Sequence, residues 1–289
     1  MNDLPFTFTT AAAVPLSAIV SAINLTYPHH HDSVEHYARQ LCVAQVDLAR
    51  SVVALDDAGQ VVGLVMLGVR GERGWCGDAA VIPPYQNQGL GQALMRRLSD
   101  SARQSGLQTV ALEVRDNNAL ARRVYEREGY CYTRRMPCYA ADLAELGWLS
   151  LQMPPGLHIQ RASDGAELDA SLLRWYGTRF VARPCWEREL PSLLASRGRA
   201  LWTALRDGRE LACLFGTRNE NGQFSIMLLG LTDDATHVDV RALLVAALGD
   251  VQTHNMRIGL EPIDSRCAEM LRDFGFRQDK DLWEMVKTL

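Results

Sequence analysis

The chain has 289 residues and 47% of them are hydrophobic, which suffices for one large or two medium-sized domains with packed cores. Its formal net charge is −4, and no basic stripe is present to neutralise phosphates, so nucleic acid is not an expected partner. The seven cysteines are dispersed and lack a Cys-x-x-Cys pair. This pattern predicts buried thiols in a reducing cytoplasm, and neither a disulfide scaffold nor a metal site.

The N-terminal residues predict a strand, two helices and a β-hairpin, in that order. The apolar stretch from Ala11 to Leu25 has no basic flank, contains Pro15 and is too short to span a bilayer. It therefore predicts neither a signal peptide nor a membrane helix. The predicted bounds are 6–10 for the strand, 15–25 and 33–46 for the helices, and 51–55 and 61–69 for the hairpin.

The most informative stretch is residues 81–92, Val-Ile-Pro-Pro-Tyr-Gln-Asn-Gln-Gly-Leu-Gly-Gln. Pro83 and Pro84 cannot donate ladder hydrogen bonds, so the strand predicted over 75–82 must end there. Leucines at four-residue spacing, beginning with Leu90, then predict a helix. Backbone N–H groups of a glycine-bearing loop at a helix N-terminus form a site suited to phosphate or pyrophosphate.

The spacing of the loop argues against two common phosphate-binding motifs. No Lys-Ser/Thr pair follows the glycines, as a nucleoside-triphosphate P-loop requires, and the spacing is not Gly-x-Gly-x-x-Gly. The pattern is Gln86-x-x-Gly89-x-Gly91 after a strand. It resembles the acetyl-CoA loop of the GNAT N-acetyltransferase superfamily, whose motif is Arg/Gln-x-x-Gly-x-Gly/Ala.

A second motif follows the loop in the order found in the same family. A β-branched strand over 109–114 leads into Asn-x-x-Ala-x-x-x-Tyr at 118–125 and Gly-Tyr at 129–130. Family members carry a similar strand, helix, tyrosine and glycine-aromatic pair. By this resemblance, residues 6–140 are identified as a GNAT domain.

The second half repeats the predicted order of elements. Glycine and prolines mark 142–156 as a linker between a first domain, 1–141, and a second, 157–289. The predicted strands are 158–160, a hairpin over 200–216, 223–231 and 256–260, and the predicted helices are 166–176, 186–194, 238–248 and 267–274. The fold class is therefore α+β with α/β-type mixed sheets: two tandem GNAT-like domains, each a twisted, mostly antiparallel sheet flanked by helices.

The second copy lacks the chemistry of the first. In place of the glycine loop it has Thr-Asp-Asp-Ala-Thr-His-Val from residue 232, whose two carboxylates would repel a pyrophosphate. Counting back from the glycine-aromatic pair, Leu271 stands where the first copy has its tyrosine. We therefore expect a degenerate domain that binds no acetyl-CoA and that covers a sheet edge or walls the substrate cleft.

The resemblance implies acetyl-CoA as cosubstrate, no metal, and Tyr125 as the proton donor to the departing thiolate. Asn118 is at a position that commonly contacts the cofactor, although an ordinary helix N-cap would look the same. Backbone N–H groups at the strand end are expected to be free to contact the cofactor. The expected cofactor-binding residues, besides Asn118, are Val81, Ile82, Gln86, Asn87, Gln88, Gly89, Leu90, Gly91 and Gln92.

Substrate residues are expected between the two early helices and on the strand before the loop. Tyr27 and His30 belong to a segment that lines the acceptor site in relatives, and Asp78 precedes the loop. Three consecutive histidines at 29–31 chelate one ion poorly, because neighbours in an extended loop point in alternating directions.

The general base is left open between two carboxylates and ordered water. Asp78 and Glu113 lie on neighbouring predicted strands, and either could take a proton directly or through water. By strand alternation, Asp78 is expected to share a face with Cys76 and Ala80.

The sequence thus predicts a cytoplasmic N-acetyltransferase, monomeric or homodimeric, with no nucleic-acid or membrane partner. Its acceptor is a primary amine of a small molecule, amino acid or peptide. Two alternatives stay open: a catalytically idle acyl-CoA-binding sensor or interaction module, and a protein that binds another phosphate-bearing ligand such as a nucleotide.

Overall fold

A computed structural model describes the chain over residues 6–28, 31–142, 146–147, 153–162, 165–179, 183–218, 224–251 and 255–289. These ranges contain eight α-helices and two mixed sheets of seven strands each, which confirms the predicted α+β class. The chain divides into two compact units, Met1–Arg134 with Trp283–Leu289, and Arg135–Leu282. Within the described ranges, no helix is both long and apolar enough to cross a membrane.

The predicted elements occur in the predicted order, and the structure adds four strands that were not predicted, at 131–135, 138–142, 277–280 and 282–288. In chain order the elements are β1 (Thr7–Thr10), α1 (Leu16–Thr26), α2 (Val34–Val43), β2 (Val52–Leu55), β3 (Val61–Arg70), β4 (Arg73–Val81), α3 (Leu90–Gln104), β5 (Thr109–Arg115), α4 (Ala119–Arg127), β6 (Cys131–Arg135), β7 (Cys138–Asp142), β8 (Leu157–Arg161), α5 (Gly165–Arg179), α6 (Leu190–Ala195), β9 (Arg199–Arg206), β10 (Arg209–Arg218), β11 (Phe224–Leu231), α7 (His237–Val251), β12 (Asn255–Ile258), α8 (Arg266–Asp273), β13 (Arg277–Lys280) and β14 (Leu282–Thr288).

Helix α2 shows how local sequence sets a boundary. Its N-cap is Ser33, whose hydroxyl accepts a hydrogen bond from the His36 N–H at 3.1 Å. The helix ends earlier than the predicted residue 46, because Gln45 adopts a left-handed φ of 55° and Val46 forms a bridge with Gly68 of β3. The bridge holds the end of α2 beside β3, and α1 packs against β3 and β4, where the candidate site lies.

Each sheet is completed by a strand from the other half of the sequence. The first sheet has the order β1-β2-β3-β4-β5-β14-β6, and the second has β13-β7-β12-β11-β10-β9-β8. The seventh strand of each repeat, β7 or β14, therefore lies in the sheet of the other repeat. The sequence-based division had assigned 138–141 to the first domain and 283–289 to the second, so the compact units differ from it in these two strands.

The exchanged strand β14 is part of the first core. Met285 is fully buried and packs in the same apolar cluster as β3, β4 and α3. On the same strand, Glu284 accepts hydrogen bonds from Arg134 at 2.7 and 2.9 Å. The first unit thus depends on residues at the far end of the chain.

We predict that Met285→Ala destabilises the first unit by about 2–5 kcal/mol, because it leaves a cavity in that core. Denaturant unfolding gives the magnitude, and hydrogen exchange gives the location, which is expected in β5 and β6. Thr288→Ala, at an exposed position of the same strand, is the matched control. Faster exchange confined to β9 and β10 would contradict the strand assignment.

Candidate functional site

The site begins where two parallel strands of the first unit stop pairing. Strands β4 and β5 pair at Arg73 with Thr109, Gly74 with Val110 and Trp75 with Ala111, and the register extends no further in this described region. Both strands nevertheless continue, β4 to Val81 and β5 to Arg115. A wedge-shaped opening results, and the backbone groups along its edges need partners from elsewhere.

Strand alternation decides which β4 groups face this opening. The carbonyl of Val81 accepts a hydrogen bond from Gln86 Nε2 at 2.8 Å, and that of Ala79 accepts from the Tyr27 hydroxyl at 3.1 Å. The carbonyls of Ala79 and Val81, and with them the N–H groups of the same two residues, therefore point away from β3. The N–H of Ile82, which was expected to be free for the cofactor, instead donates to the Val62 carbonyl of β3 at 3.0 Å. That expectation is corrected: one residue further along, the backbone faces the other way.

The loop after β4 presents a run of backbone donors. Asn87 and Gly89 have left-handed φ values of 61° and 80°, and the first bond of α3 runs from the Ala93 N–H to the Gly89 carbonyl at 3.1 Å. Among the described residues, the N–H groups from Asn87 to Gln92 donate to no other backbone group. The concave run of donors at a helix N-terminus suits an anion such as a pyrophosphate.

The glycines keep the approach to these donors clear. A Cβ added at Gly89 would meet nothing within 4 Å, and one at Gly91 would meet only Val81 at 4.0 Å. The glutamine side chains turn back onto the protein: Gln88 Nε2 donates to the Pro84 carbonyl and Gln92 Nε2 to Glu128. The loop thus presents backbone N–H groups, and not side chains, to a ligand.

Tyr125 and Asn118 lie on helix α4. Asn118 is the N-cap, and its Oδ1 accepts a hydrogen bond from the Ala121 N–H at 3.1 Å. Tyr125 is half-buried and packs at 6.0 Å, ring centre to ring centre, from Tyr130. Burial, and to a smaller extent Cys76 and Tyr27, raises the pKa of Tyr125 well above the ordinary tyrosine value. The phenol therefore keeps its proton at neutral and at moderately alkaline pH.

A β-bulge at Gly77 sets the orientation of Asp78. Asp78 lies opposite Met66 of β3 and Cys76 opposite Leu67, so Gly77 is the extra residue. Because Met66 and Leu67 are neighbours on one strand, their partners point to opposite faces of the sheet. The expectation that Asp78 shares a face with Cys76 is therefore wrong, since an inserted residue breaks the alternation.

The face to which Asp78 points is covered by helices α1 and α2. The hydroxyl of Tyr37, from α2, donates to Asp78 Oδ2 at 2.8 Å. Tyr27, just after α1, stands beside the same stretch through its bond to Ala79. The remaining predicted substrate residue, His30, lies outside the described residues. Sequence reasoning missed Tyr37, because nothing in the helix pattern of α2 separates this tyrosine from an ordinary core residue.

The other candidate base is held by a different group. Glu113 Oε2 accepts a hydrogen bond from the indole Nε1 of Trp75 at 2.7 Å. The Trp75 ring also lies over Gly77, where an added Cβ would come within 2.3 Å of it. The two carboxylates weighed in the sequence are thus separately anchored, Glu113 by an indole and Asp78 by a phenol.

The second unit has a corresponding pair of parallel strands, and a buried arginine lies beyond their pairing. Strands β11 and β12 pair in parallel from Phe224 with Met256 to Ile226 with Ile258. Beyond this pairing, Arg188 donates to the carbonyls of Met227 at 2.5 Å and Leu260 at 3.2 Å. It also pairs with the carboxylate of Glu261, and both side chains are almost fully buried.

The N-terminus of helix α7 is also occupied by the protein itself. The buried carboxylate of Asp239 accepts hydrogen bonds from the Thr236 N–H at 2.9 Å and from its hydroxyl at 2.6 Å. An acidic side chain therefore lies where α3 of the first unit has open backbone donors. A pyrophosphate at α7 would have to displace this carboxylate.

Comparisons with known proteins agree with this geometry. The model of the acetyltransferase (GNAT) family matches residues 16–130. A segment of 53 residues is 49% identical to the [ribosomal protein bS18]-alanine N-acetyltransferase of Escherichia coli K12, and it covers 18% of this chain and 36% of that enzyme.

Two solved structures resemble nearly the whole chain. A GCN5-related N-acetyltransferase from Sphaerobacter thermophilus has a TM-score of 0.74 at 18% identity, over 98% of this chain and 96% of that one. A tandem GNAT protein from the clavulanic acid biosynthesis pathway has a TM-score of 0.71 at 14% identity, over 98% of both chains. At these identities the likeness concerns the fold. Residues 16–130 of the first domain thus match the acetyltransferase (GNAT) family, and the chain as a whole has the fold of a tandem GNAT protein.

Proposed function

We propose that the protein is an N-acetyltransferase that moves the acetyl group of acetyl-CoA to a primary amine of a small molecule, amino acid or peptide. The amine attacks directly in a ternary complex. The observation that carries the proposal is the open edge of β4, which runs directly into the unpaired backbone donors of residues 87–92. Both features lie in the domain that matches the family.

The residues present fit acetyl-CoA. The loop donors and the positive end of α3 would hold the pyrophosphate, and the peptides of Ala79 and Val81 face the channel that the pantetheine arm would follow. Bound acetyl-CoA supplies the thioester carbonyl that the amine attacks. Backbone donors fixed near the developing oxyanion are typically worth ~3 kcal/mol of transition-state stabilisation.

Tyr125 is proposed to protonate the departing thiolate. Its raised pKa keeps the phenol protonated over the working pH range, and it carries no competing hydrogen bond among the described residues. A thiol leaves more readily than a thiolate, because the sulfur then carries no charge into the half-buried site.

The acceptor class stays broad. The E. coli relative is named for acetylation of an alanine of a ribosomal protein, which supports a peptide amine among the candidates. The alternative is a catalytically idle acyl-CoA-binding module. A screen over alkylamines, amino acids and short peptides, with release of free thiol as the readout, decides between them. Saturable acetyl-CoA binding without turnover on any amine would favour the idle module.

Gly91 allows the charge of the loop to be changed without strain. We predict that Gly91→Asp weakens acetyl-CoA binding by ~1–4 kcal/mol, the Coulomb energy of two charges about 4 Å apart near a protein surface. Helix stability should not fall, because an acidic residue in the first turn of a helix is favourable. Calorimetric titration measures the affinity and thermal unfolding checks the fold.

Gly91→Asn is the matched control, since it adds nearly the same volume without the charge. It should bind acetyl-CoA clearly better than the aspartate variant. Equal affinities of the two variants would show that no anion sits at this loop.

Tyr125→Phe should lower turnover by roughly 10²-fold to 10⁴-fold and leave acetyl-CoA affinity nearly unchanged. Because burial raises the pKa of Tyr125 above its ordinary value, the loss of activity that follows its deprotonation should occur only at strongly alkaline pH in the wild type. Turnover at saturating substrates, measured across pH, checks both points. Normal turnover of the variant under conditions where chemistry is rate-limiting would assign the proton to water or substrate.

We also propose that the second unit binds no acetyl-CoA, because Arg188 and Asp239 occupy its channel and its helix N-terminus. The expected stoichiometry is one acetyl-CoA per chain, measured by titration calorimetry against protein of known concentration. Asp233→Ala in the second unit should leave the affinity unaltered. Two bound equivalents would refute the degenerate character of this domain.

A further inference from the structure

Two phenols bond neighbouring residues of β4 in the first unit, one at a carboxylate and the other at a backbone carbonyl. Tyr37 of α2 donates to Asp78 Oδ2 at 2.8 Å, and Tyr27, just after α1, donates to the carbonyl of the next residue, Ala79, at 3.1 Å. Asp78 itself is only half-buried. It lies on the part of β4 that no longer pairs with β5, so it borders the opening that the pantetheine arm is proposed to follow.

The phenol that bonds Asp78, that of Tyr37, stays protonated and acts as a hydrogen-bond donor. Tyr37 is 2% exposed, and burial together with the charge of Asp78 raises its pKa far above the ordinary range. Tyr27 is 40% exposed, and its pKa is raised first by burial and then by Asp78. A fixed inner phenol and an accessible outer one thus flank a carboxylate that a solute can reach.

The second carboxylate of the region, Glu113, affects fewer of these groups. Burial is the main cause of the raised pKa values of Tyr27, Tyr37 and the Cys76 thiol; Asp78 raises all three further, whereas Glu113 contributes only to that of Cys76. Glu113 is anchored by the Trp75 indole. The titratable groups that interact with Asp78 are Tyr27, Tyr37 and Cys76. These three are in turn influenced by Arg115 on β5, by Asp32 just before α2 and by Glu113 on β5, respectively.

We propose that Asp78, positioned by Tyr37, binds the ammonium group of the acceptor and takes its proton, so that the enzyme selects amines that are cationic in solution. The inference rests on the proposed acetyl transfer. A carboxylate held in place by a buried donor pairs with an ammonium ion through charge-assisted hydrogen bonds, which a neutral arylamine cannot offer. Alkylamines, amino acids and peptide N-termini belong to the selected class.

Every proton in the proposed reaction is accounted for. An N–H bond of the ammonium breaks and an O–H bond forms on Asp78, which frees the nitrogen lone pair to attack the thioester carbon. The C–S bond then breaks and the sulfur receives the Tyr125 proton. A second proton lost by the nitrogen restores Tyr125, the amide keeps one hydrogen, and Asp78 returns its proton to water.

The test compares Asp78→Asn with the wild type on an alkylamine and on an arylamine that is neutral at pH 7. For the alkylamine, kcat/KM should fall roughly 10²-fold to 10³-fold near neutral pH and recover as the pH approaches the amine's own pKa. For the arylamine it should change much less. Acetyl-CoA affinity and thermal unfolding, which the substitution should leave unchanged, verify the fold.

Tyr37→Phe tests the positioning role. It should reduce kcat/KM for the alkylamine by about tenfold and move the acidic limb of its pH profile upward, because the ionised carboxylate has lost a donor. Glu113→Gln, a change of the same kind on the neighbouring strand, should keep both the rate and the profile. Loss of activity in Glu113→Gln with Asp78→Asn near normal would overturn the proposal and assign the role to Glu113.

The outcomes separate this inference from the proposed function. A wild-type protein that acetylates no amine contradicts the acetyltransferase proposal itself. A wild-type protein that acetylates alkylamines, with an Asp78→Asn variant equally active on alkylamines near neutral pH, contradicts only the assignment of Asp78.

Discussion

Two parallel strands of the first unit stop pairing before they end, and their exposed peptide groups need partners. In the first unit, β4 and β5 separate after Trp75 and Ala111, and the edge is met by the Tyr27 hydroxyl and the Gln86 amide, with room left for a ligand. In the second unit β12 ends at its last pair with β11, β11 alone continues, and a guanidinium bonds the carbonyls beyond the pairing. Arg188 binds the carbonyls of Met227 and Leu260 and is neutralised by Glu261, so that edge is closed from within.

The strand exchange makes the two repeats mutually dependent. Strand β14 completes the first sheet between β5 and β6, and β7 completes the second between β12 and β13. Strand β5 is one wall of the opening, so the C-terminal residues support the wall against which a cofactor would lie. The repeat without the glycine loop therefore has a structural role, because its last strand belongs to the sheet of the other repeat.

Much of this organisation could be predicted from sequence, and the remainder could not for physical reasons. The glycine loop, the Asn118 cap and the repeated order of elements follow from local patterns, since turns, caps and apolar periodicity are encoded by neighbouring residues. Which sheet β7 and β14 join depends on long-range pairing, and β13, Arg-Gln-Asp-Lys, carries no apolar alternation. The bulge at Gly77 inverted the expected face of Cys76 relative to Asp78, because one inserted residue changes strand parity. Arg188 looked like one more charged residue until its burial between strands was known.

We propose that the unpaired edge of β4 and the following loop are open to acetyl-CoA in the first unit, whereas the equivalent places in the second unit are closed to it. Hydrogen exchange with and without saturating acetyl-CoA, resolved to peptides covering 79–92 and 227–240, tests it most directly. We expect slower exchange in the first segment, whose amides at Ala79, Val81 and 87–92 gain a partner. No change is expected in the second segment, where Arg188 and Asp239 already occupy the equivalent places. Protection of 227–240, or unchanged exchange over 79–92 at saturation, would contradict it.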